Sequence, residues 1–463
     1  MLFSSVTFLF CFMPFCVIGY YALNPILRNT FLFLCSILFY AWGEPKYVLV
    51  MLGVIVVDYI FGILFKICSG ARKLVLGLGV IVNLGVLGVF KYADFITENL
   101  NSVLHIHIPL WHIALPIGIS FYIFQSLSYI IDVYRNKVAP QKNLLKFGLY
   151  VSLFPQLIAG PIVKYRDIAD EIDSRINSFE EVAVGLRRFI IGLSKKVLIA
   201  NTMGEVADKI YAAGTNDISF SIAWLGAIAY SLQILFDFSG YSDMAIGLGR
   251  VFGFHFAENF NYPYIAKSVT DFWRRWHISL SSWFKEYLYI PLGGNRVSVF
   301  QRNLNLLIVF FATGLWHGAS WNFVVWGIWH GLFLLLEKNV KERWGADISH
   351  IKYIRHIYVI FVFVIGWVFF RADTLSISVD YISLMFGLKG NEIISFGFMY
   401  YFNHKVALCG IAAILLCYPW KWGIIEEKFG LIVARDIALF GLLVLSIASI
   451  AASAYNPFIY FRF

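Results

Sequence analysis

The chain has 463 residues, of which 60% are hydrophobic and only 14% charged. Soluble domains carry roughly 25% charged residues, so this composition excludes a soluble globular protein. The net charge of +9 is spread over short loops rather than gathered in one patch, which gives no indication of nucleic-acid binding.

Apolar runs recur along the whole chain, and they predict an all-α polytopic membrane protein. A membrane-spanning helix needs ~20 apolar residues, although shorter runs can be tilted, buried or re-entrant. On that rule we expect about ten to twelve crossings. The runs lie at residues 6–23, 47–65, 74–90, 113–131, 220–236, 303–316, 321–335, 357–370, 406–418 and 437–454.

Basic residues in the short loops predict the orientation of the chain in the bilayer. Lysines and arginines gather at residues 66–73, 135–146, 164–166 and 195–196. By the positive-inside rule these loops face the cytoplasm. Counting back from residue 66 over spans near 47–65, 31–42 and 6–23 then places the N-terminus outside. The first run has no basic residue before it and no cleavage site after it, so we expect a retained helix rather than a signal peptide.

Two features predict where helices begin and break in the middle of the chain. Residues 164–188 are the longest hydrophilic stretch, and they predict cytoplasmic or interfacial helices. Within this stretch, Ser178 ahead of two glutamates is typical of a helix start. In the stretch 154–167, which overlaps its start, two prolines and a glycine predict a break in the helix.

A second polar stretch, residues 268–296, mixes tryptophans and tyrosines with arginines and lysine. Such a mixture is typical of a membrane interface. We expect an interfacial or re-entrant helix there, broken by the sequence PLGGN at 291–295. On one continuous helix a single face would carry His277, Leu280, Ser281 and Phe284.

Asp237 and Asp243 lie beside or inside an apolar run, where acidic side chains are functional candidates by default. The alternative is that each acid pairs with an arginine and only stabilises the fold. The arginines considered for such pairs are Arg250, Arg274 and Arg275.

His317 and His330 stand in an otherwise apolar stretch, residues 310–337, each preceded by tryptophan and followed by glycine. An unpaired imidazole in hydrocarbon is costly. One interpretation is that the two side chains hydrogen-bond between helices. The other is that one is a general base, because a neutral imidazole titrates in the useful pH range. About 100° per residue would separate them around one continuous helix, so they need not share a site.

Other patterns narrow the chemistry further. No H-E-x-x-H, G-x-S-x-G or P-loop pattern occurs, so the usual protease, hydrolase and NTPase mechanisms have no support. The six cysteines are scattered without a C-x-x-C pair, which predicts neither disulfides nor a zinc site. The acids that could join a histidine around a metal are Asp237, Asp243 and Asp271, but we expect no metal.

Several stretches together resemble the membrane-bound O-acyltransferase superfamily, and within it the bacterial branch of alginate O-acetylation proteins. The resemblance covers nearly the whole chain in order, although members usually read Arg-Asp where this chain has Lys285 and Glu286. The most specific motifs are FPQLIAGPI at 154–162, FDFSGYSDMAIGLGRVFGF at 236–254, FWRRWHISLSSWF at 272–284 and LWHGASWNFVVWGIWHG at 315–331.

The resemblance implies one membrane domain over residues 1–463, with its core motifs at about 115–335 and its helices around a central channel. It implies that His317, in the LWHG motif, is the catalytic histidine and that His277 is the second polar group of the site. Structural support is the expected role of His330. The candidates for donor binding or channel lining are Arg274, Arg275, Asp237, Asp243, Asn322 and His330.

The activity implied by the resemblance is O-acetylation in the bacterial inner membrane. The donor would be acetyl-CoA, used as a substrate with no cofactor bound, and the final acceptor an exported polysaccharide such as alginate or peptidoglycan. Transfer would be direct or would pass through a periplasmic partner, an SGNH esterase-like transferase. Two alternatives stay open: a D-alanyl transferase for teichoic acid, and a secondary transporter, although the inverted repeat typical of transporters is not apparent.

Overall fold

The computed structural model describes residues 1–344, 354–389, 396–420, 429–453 and 455–459. This described part consists of helices and loops and contains no strand, so the predicted all-α fold is confirmed. Two compact units can be distinguished by their internal contacts: Met1–Phe189 with Tyr241–Glu258, and Ile190–Gly240 with Asn259–Phe463. The single domain implied by the resemblance stays a prediction.

The first unit takes most of its helices from the N-terminal third of the chain. Its first helices are α1 (Met13–Ala22), α2 (Pro25–Gly43), α3 (Val48–Ile67), α4 (Arg72–Leu87) and α5 (Ala93–Leu104). They are followed by α6 (Ile119–Tyr134), α7 (Leu144–Ser152), α8 (Phe154–Leu157), α9 (Tyr165–Asp173) and α10 (Phe179–Ser194), of which α10 also contributes to the second unit.

Helix α6 forms the buried centre of the first unit, with α3 and α4 packed against it. The close approach of α3 needs a glycine, because a Cβ at Gly62 would lie 2.4 Å from the hydroxyl of Tyr129. Both local predictions in this unit are confirmed. A helix break follows Leu157, and the Ser178 hydroxyl accepts a hydrogen bond from the backbone N–H of Glu181 at 3.2 Å, which caps α10.

The second unit contains the histidine-rich part of the chain. Its helices are α11 (Asn201–Ala213), α12 (Phe220–Val251), α13 (Val269–Arg275), α14 (Ile278–Phe284), α15 (Val299–His317) and α16 (Trp321–Trp344). They are followed by α17 (Ile354–Arg371), α18 (Leu375–Met385), α19 (Phe398–Tyr401), α20 (His404–Leu416) and α21 (Phe429–Ala452). Helix α12 contributes its C-terminal part to the first unit.

Helices α15 and α16 pack closely against each other along the second unit. Their backbones approach because glycines face the partner helix. A Cβ at Gly314 would lie 2.3 Å from the carbonyl oxygen of Phe323, and one at Gly327 would lie 2.2 Å from that of Phe310. Small residues therefore serve here, as expected, to bring membrane helices together.

Six helical segments of the described residues are long and apolar enough to cross a membrane. They are Pro25–Gly43, Val48–Ile67, Ser69–Leu104, Phe220–Val251, Ile354–Arg371 and Ile432–Ala452. Three shorter apolar helices add to them: Phe8–Ala22, Leu375–Met385 and His404–Leu416. The predicted run at 437–454 overlaps the last span over residues 437–452, and residue 454 lies outside the described residues. The count of ten to twelve crossings stays a prediction.

Candidate active site in the second unit

His317 is the last residue of α15, and α16 begins four residues later at Trp321. The helix ends here because Gly318 leaves the helical conformation for an extended one. The separate apolar runs predicted at 303–316 and 321–335 thus correspond to α15 and α16, and His317 and His330 lie on different helices. The break places His317 at the turn between α15 and α16, where only 5% of its surface is exposed.

A small cavity adjoins the His317 ring. Its volume is about 10 Å³, which is about the space that one water molecule needs. Reactants can enter only if the largely aromatic walls move apart. The residues that line the cavity are Ile234, Phe238, Trp276, His317, Trp326, Trp367, Phe370 and Ile459.

Aromatic rings hold the His317 imidazole edge-on from three sides. The centroids of Trp316, Trp326 and Phe370 lie 4.9, 5.0 and 5.1 Å from its own, at interplanar angles between 75° and 87°. Such packing keeps the imidazole in one orientation and keeps bulk water away from it. Both effects suit a general base that has to act on one hydroxyl group.

His277 occupies a break between two short helices. The sequence predicts one helix through this stretch, but α13 ends at Arg275 and α14 begins at Ile278. Between them, His277 takes a left-handed conformation, with φ at +42°, so the predicted continuous face starting at this histidine is wrong. A non-glycine residue in that conformation is strained, and such strain is concentrated at functional sites.

The imidazole of His277 is completely buried, and Asn259 holds it. The Nδ1 atom lies 3.1 Å from the Oδ1 atom of Asn259, while Nε2 has no hydrogen-bond partner among the described residues. His277 lies outside the six candidate spans. Burial lowers its pKa to about 3, because a buried charge is poorly solvated, and the ring is therefore neutral at physiological pH.

The structure brings His317 and His277 together around the indole ring of Trp316. The Trp316 centroid lies 4.9 Å from that of His317 and 5.9 Å from that of His277. Phe238 forms a second link, because it lines the cavity and its centroid lies 4.6 Å from that of His277. His317 thus lines the small aromatic cavity, and His277 contacts Phe238, one of the other rings that line it.

His330 lies deeper in α16, among aromatic rings. The centroids of Trp273 and Trp326 lie 5.2 and 5.3 Å from its own. On the other side Gly366 of α17 leaves room for its Nε2 atom, which would lie 2.7 Å from a Cβ there. Neither ring nitrogen has a hydrogen-bond partner in the part of the chain that the structure describes. These contacts fit the expected supporting role.

The two arginines of the RRWH sequence have different environments. The Nε atom of Arg275 donates to the Oδ1 atom of Asp271 at 2.8 Å, and its Nη1 atom donates to the backbone carbonyl of Asn261 at 3.2 Å. Arg275 is thus an architectural residue. Arg274 is exposed and lines a separate pocket of about 620 Å³.

The two candidate acids pair with cations other than the arginines considered from the sequence. Asp237 binds Lys196 at 2.8 Å, and Asp243 binds Arg188 at 2.9 Å in the first unit. Arg250 pairs instead with Glu181 at 3.2 Å. The predicted partners of both acids are therefore wrong. Their pairing itself supports the interpretation that they stabilise the fold.

Asn322 does not line the cavity beside His317; its contacts are structural. Its side-chain amide donates to the backbone carbonyl of Ala372 at 2.6 Å, which ties the start of α16 to the end of α17. No group of three His, Cys, Asp or Glu side chains that could hold a metal ion occurs within the described residues.

Three residues of the site escaped the sequence analysis: Asn259, Lys196 and Ile459. Asn259 follows a phenylalanine-rich loop and carries no motif of its own. In the sequence, Lys196 served only as one of the basic residues that predict the orientation in the bilayer. A lysine beside an apolar segment could also have indicated a buried ion pair. Ile459 is an ordinary apolar residue, so only tertiary structure could place it beside His317.

Comparison with known proteins identifies the class of protein to which this fold and site belong. Residues 135–372 match the model of MBOAT, the membrane-bound O-acyltransferase family. The chain is 38% identical to the probable alginate O-acetylase AlgI of Azotobacter vinelandii, with both chains covered completely. It is also 38% identical to the peptidoglycan O-acetyltransferase of Helicobacter pylori, over 84% of this chain and 80% of the relative.

A more distant similarity links the chain to the teichoic acid D-alanyltransferase of Bacillus subtilis, at 29% identity over 52% of this chain and 62% of the relative. The chain belongs to the membrane-bound O-acyltransferase family, and the resemblance seen in the sequence is confirmed. It is a multi-pass membrane acyltransferase. Family membership weighs against the secondary transporter considered from the sequence.

Proposed function

We propose that this protein moves acetyl groups from acetyl-CoA in the cytoplasm to an exported polysaccharide, directly or through a periplasmic partner transferase. One observation carries the proposal: a buried histidine, His317, beside a cavity of about 10 Å³ in a member of this family. Similarity over the full length of an alginate O-acetylase supports the acetyl group and the polysaccharide.

The chemical step needs a base, because a hydroxyl group is a weak nucleophile until its proton is removed. In the proposed step His317 takes that proton as the hydroxyl oxygen bonds to the acetyl carbon. The C–S bond then breaks, and the proton passes from the imidazolium to the departing thiolate. The oxyanion formed on the way needs a hydrogen-bond donor, and the candidates are His277 and a backbone N–H near it.

The pocket beside Arg274 has the charge that a phosphate-rich donor requires. Four cations line it: Lys267, Arg274, Lys338 and Lys341. Its two acids have other partners, since Asp271 pairs with Arg275 and Glu337 accepts hydrogen bonds from two backbone N–H groups at the start of α13. We propose that this pocket binds the phosphate groups of coenzyme A.

Variants of the pocket test the donor. Replacing Arg274 and Lys338 with glutamine should raise the KM for acetyl-CoA, by roughly tenfold per charge, because a charge-assisted hydrogen bond contributes about 1.5–3 kcal/mol and these side chains are partly solvated. S-acetyl-N-acetylcysteamine, a thioester without phosphates, should be used equally by wild type and variants. The assay follows release of free thiol by the purified protein supplied with acceptor.

The matched control is Lys209→Gln, which removes a surface lysine that pairs with Glu205 at 2.8 Å on α11. Its KM should equal that of the wild type. If the pocket variants also keep the wild-type KM, the donor phosphates bind elsewhere. If wild-type protein releases no thiol from acetyl-CoA but accepts an acyl carrier protein thioester, the proposal fails in favour of the D-alanyl-type reaction.

The acceptor side rests on the relatives alone. Their names specify alginate and peptidoglycan, both of which lie outside the cytoplasm. We propose that the immediate acceptor is a sugar hydroxyl or a serine of an SGNH esterase-like transferase, which then modifies the polymer. The similarity to a D-alanyltransferase covers only about half of the chain, so the acetyl reaction is favoured.

We further propose that the protein lies in the inner membrane with its N-terminus in the periplasm. One contact in the first unit supports the predicted topology. Arg72 donates hydrogen bonds to the carbonyls of Val133 and Tyr134 at 2.9 and 2.7 Å, which brings the basic segments 66–73 and 135–146 to the same membrane face. Both segments can then be cytoplasmic.

Cysteine labelling in intact cells tests this orientation. A cysteine in place of Lys137, in the second basic segment, should react with a membrane-impermeant maleimide only after the cells are opened. A cysteine in place of Asn101, at the opposite end of α4 and α5, should react from outside. If the cysteine at position 137 is labelled in sealed cells, the predicted topology is wrong and the second basic segment faces the periplasm.

A further inference from the structure

Asn259 gathers three hydrogen bonds on one side-chain oxygen. Its Oδ1 atom lies 3.1 Å from Nδ1 of His277, 3.2 Å from the backbone nitrogen of Ser279 and 2.9 Å from the hydroxyl of Ser279. Its backbone carbonyl accepts a fourth, from Ile278 at 3.0 Å. Asn259 is itself completely buried. The residue thus clamps the strained turn that carries His277.

These contacts determine the tautomer of His277. The backbone N–H of Ser279 can only donate, so the group that faces it must be the oxygen of the Asn259 amide and not the nitrogen. The same oxygen can only accept. The Ser279 hydroxyl also lies 3.4 Å from Nδ1, but its single hydrogen goes to the closer Asn259 oxygen at 2.9 Å, so Nδ1 of His277 carries a hydrogen. A neutral imidazole has one ring hydrogen, and Nε2 is therefore left with its lone pair.

We infer that Asn259 is a positioning residue, which holds His277 in the Nδ1–H tautomer so that Nε2 accepts a hydrogen bond from a reactant. This inference rests on the proposed acetyl transfer. It changes the role of His277, because a neutral ring in this tautomer has no hydrogen on Nε2 to give to an oxyanion. His317 remains the base in the proposed step.

Two reactant groups could supply the hydrogen that Nε2 accepts. One is a hydroxyl of the acceptor. The other is the amide N–H of the pantetheine arm, which lies two methylenes from the thioester sulfur. Both are neutral donors, and a neutral lone pair in a buried site attracts either of them. Protonation of Nε2 would abolish the interaction in both cases.

The described residues of the helices around His277 carry few charged groups that could stabilise its protonated form. On α15 the next titratable side chain is His317, and on α12 it is Asp237, which Lys196 neutralises at 2.8 Å. On α13 Asp271 pairs with Arg275, and Arg274 is exposed. Residue 259 is thus the position from which a new charge would act most directly on His277.

Two substitutions of Asn259 test the inference. Asn259→Ala removes the acceptor of Nδ1–H and should lower kcat/KM roughly 10- to 100-fold, as loss of an orienting partner typically does. Asn259→Asp keeps an oxygen that accepts all three hydrogen bonds, so activity should return. The new carboxylate favours the imidazolium and raises the pKa of His277. The acid limb of the pH–rate profile should therefore move to higher pH.

The comparison variant is Asn305→Ala, which removes another completely buried asparagine, one that donates to the carbonyl of Leu292 at 2.8 Å. It should lower stability without moving the pH profile. An Asn259→Asp protein with the wild-type acid limb would overturn the inference. So would one that is folded but inactive at every pH, or an Asn259→Ala protein with full activity.

A measurement on the unsubstituted protein keeps the inference testable if the variants do not fold. In protein labelled with 15N at histidine, the signal assigned by His277→Gln should show a protonated Nδ1 and an unprotonated Nε2; the opposite tautomer would contradict the inference. The two candidate groups can be separated with a thioester donor that lacks the pantetheine amide. If Nε2 binds that amide, substitutions at residue 259 should no longer change the rate of transfer from this donor; if Nε2 binds the acceptor hydroxyl, they should still change it. If wild-type protein transfers no acetyl group, the proposed function fails, while the tautomer measurement still stands by itself.

Discussion

Replacing His317 with alanine is expected to abolish acetyl transfer while the protein still folds. Loss of a general base typically costs roughly 10²–10⁴-fold in rate. The side chain ends α15 beside a small cavity, so alanine there enlarges an existing space and leaves the contact between α15 and α16 intact. Polymer-bound acetyl groups and thiol release by purified protein measure the loss.

His330→Ala provides the contrast, because the same change in the same pair of helices should act through stability. His330 is completely buried and fills the space between α13, α16 and α17. Emptying such a site costs roughly 2–5 kcal/mol of folding free energy. Yield and thermal stability should fall, while activity per folded molecule should be largely kept.

The two variants together decide which histidine carries the chemistry. A fully active His317→Ala protein would exclude it as the base. A His330→Ala protein that is stable but inactive would transfer that role to His330 and contradict the supporting role that its aromatic surroundings indicate. Melting temperature in detergent, measured for both variants, separates a catalytic loss from an unfolded sample.

The sequence predicts several of the long apolar helices, because a run of apolar residues is a local signal. The run predicted at 47–65 corresponds to α3 (Val48–Ile67), which is long and apolar enough by itself. The end of α15 is a local signal as well. The separate apolar runs at 303–316 and 321–335 flank Gly318, and a glycine directly after the last helical residue commonly ends a helix.

The break at His277 could not be predicted, because its cause lies outside the segment. Nothing between residues 269 and 284 forbids a helix. The left-handed turn is held by Asn259, from an earlier loop, which binds Nδ1 of His277 and the backbone of Ile278. The partners of the buried acids follow the same rule. Asp237 pairs with Lys196, which precedes it in the chain, rather than with one of the arginines that follow it.

Breaking the ion pair between Lys196 and Asp237 should destabilise the second unit more than any surface change. Both side chains are almost completely buried, at 2% and 1% exposure, and their charged atoms lie 2.8 Å apart. Removing one partner of a buried pair leaves an uncompensated charge, which costs about 3–5 kcal/mol. Lys196→Met should therefore lower the melting temperature in detergent sharply.

The pair also holds residues 455–459 beside the cavity next to His317. Lys196 donates to the carbonyl of Pro457, and Asp237 accepts from the backbone N–H of Ile459 at 2.9 Å. Ile459 in turn lines the cavity next to His317. Lys196→Met should thus make the segment around residue 457 more accessible to protease and lower activity as well as stability.

The double substitution Lys196→Met with Asp237→Asn separates charge from packing. It removes both charges but keeps an oxygen that accepts the N–H of Ile459, so it should recover much of the stability lost in Lys196→Met. Lys209→Met, at the exposed pair with Glu205, should stay within about 0.5 kcal/mol of wild type. If the double variant is no more stable than Lys196→Met, the lysine contributes through its hydrogen bond to the carbonyl of Pro457. The buried charge of Asp237 is then not what destabilises the single variant.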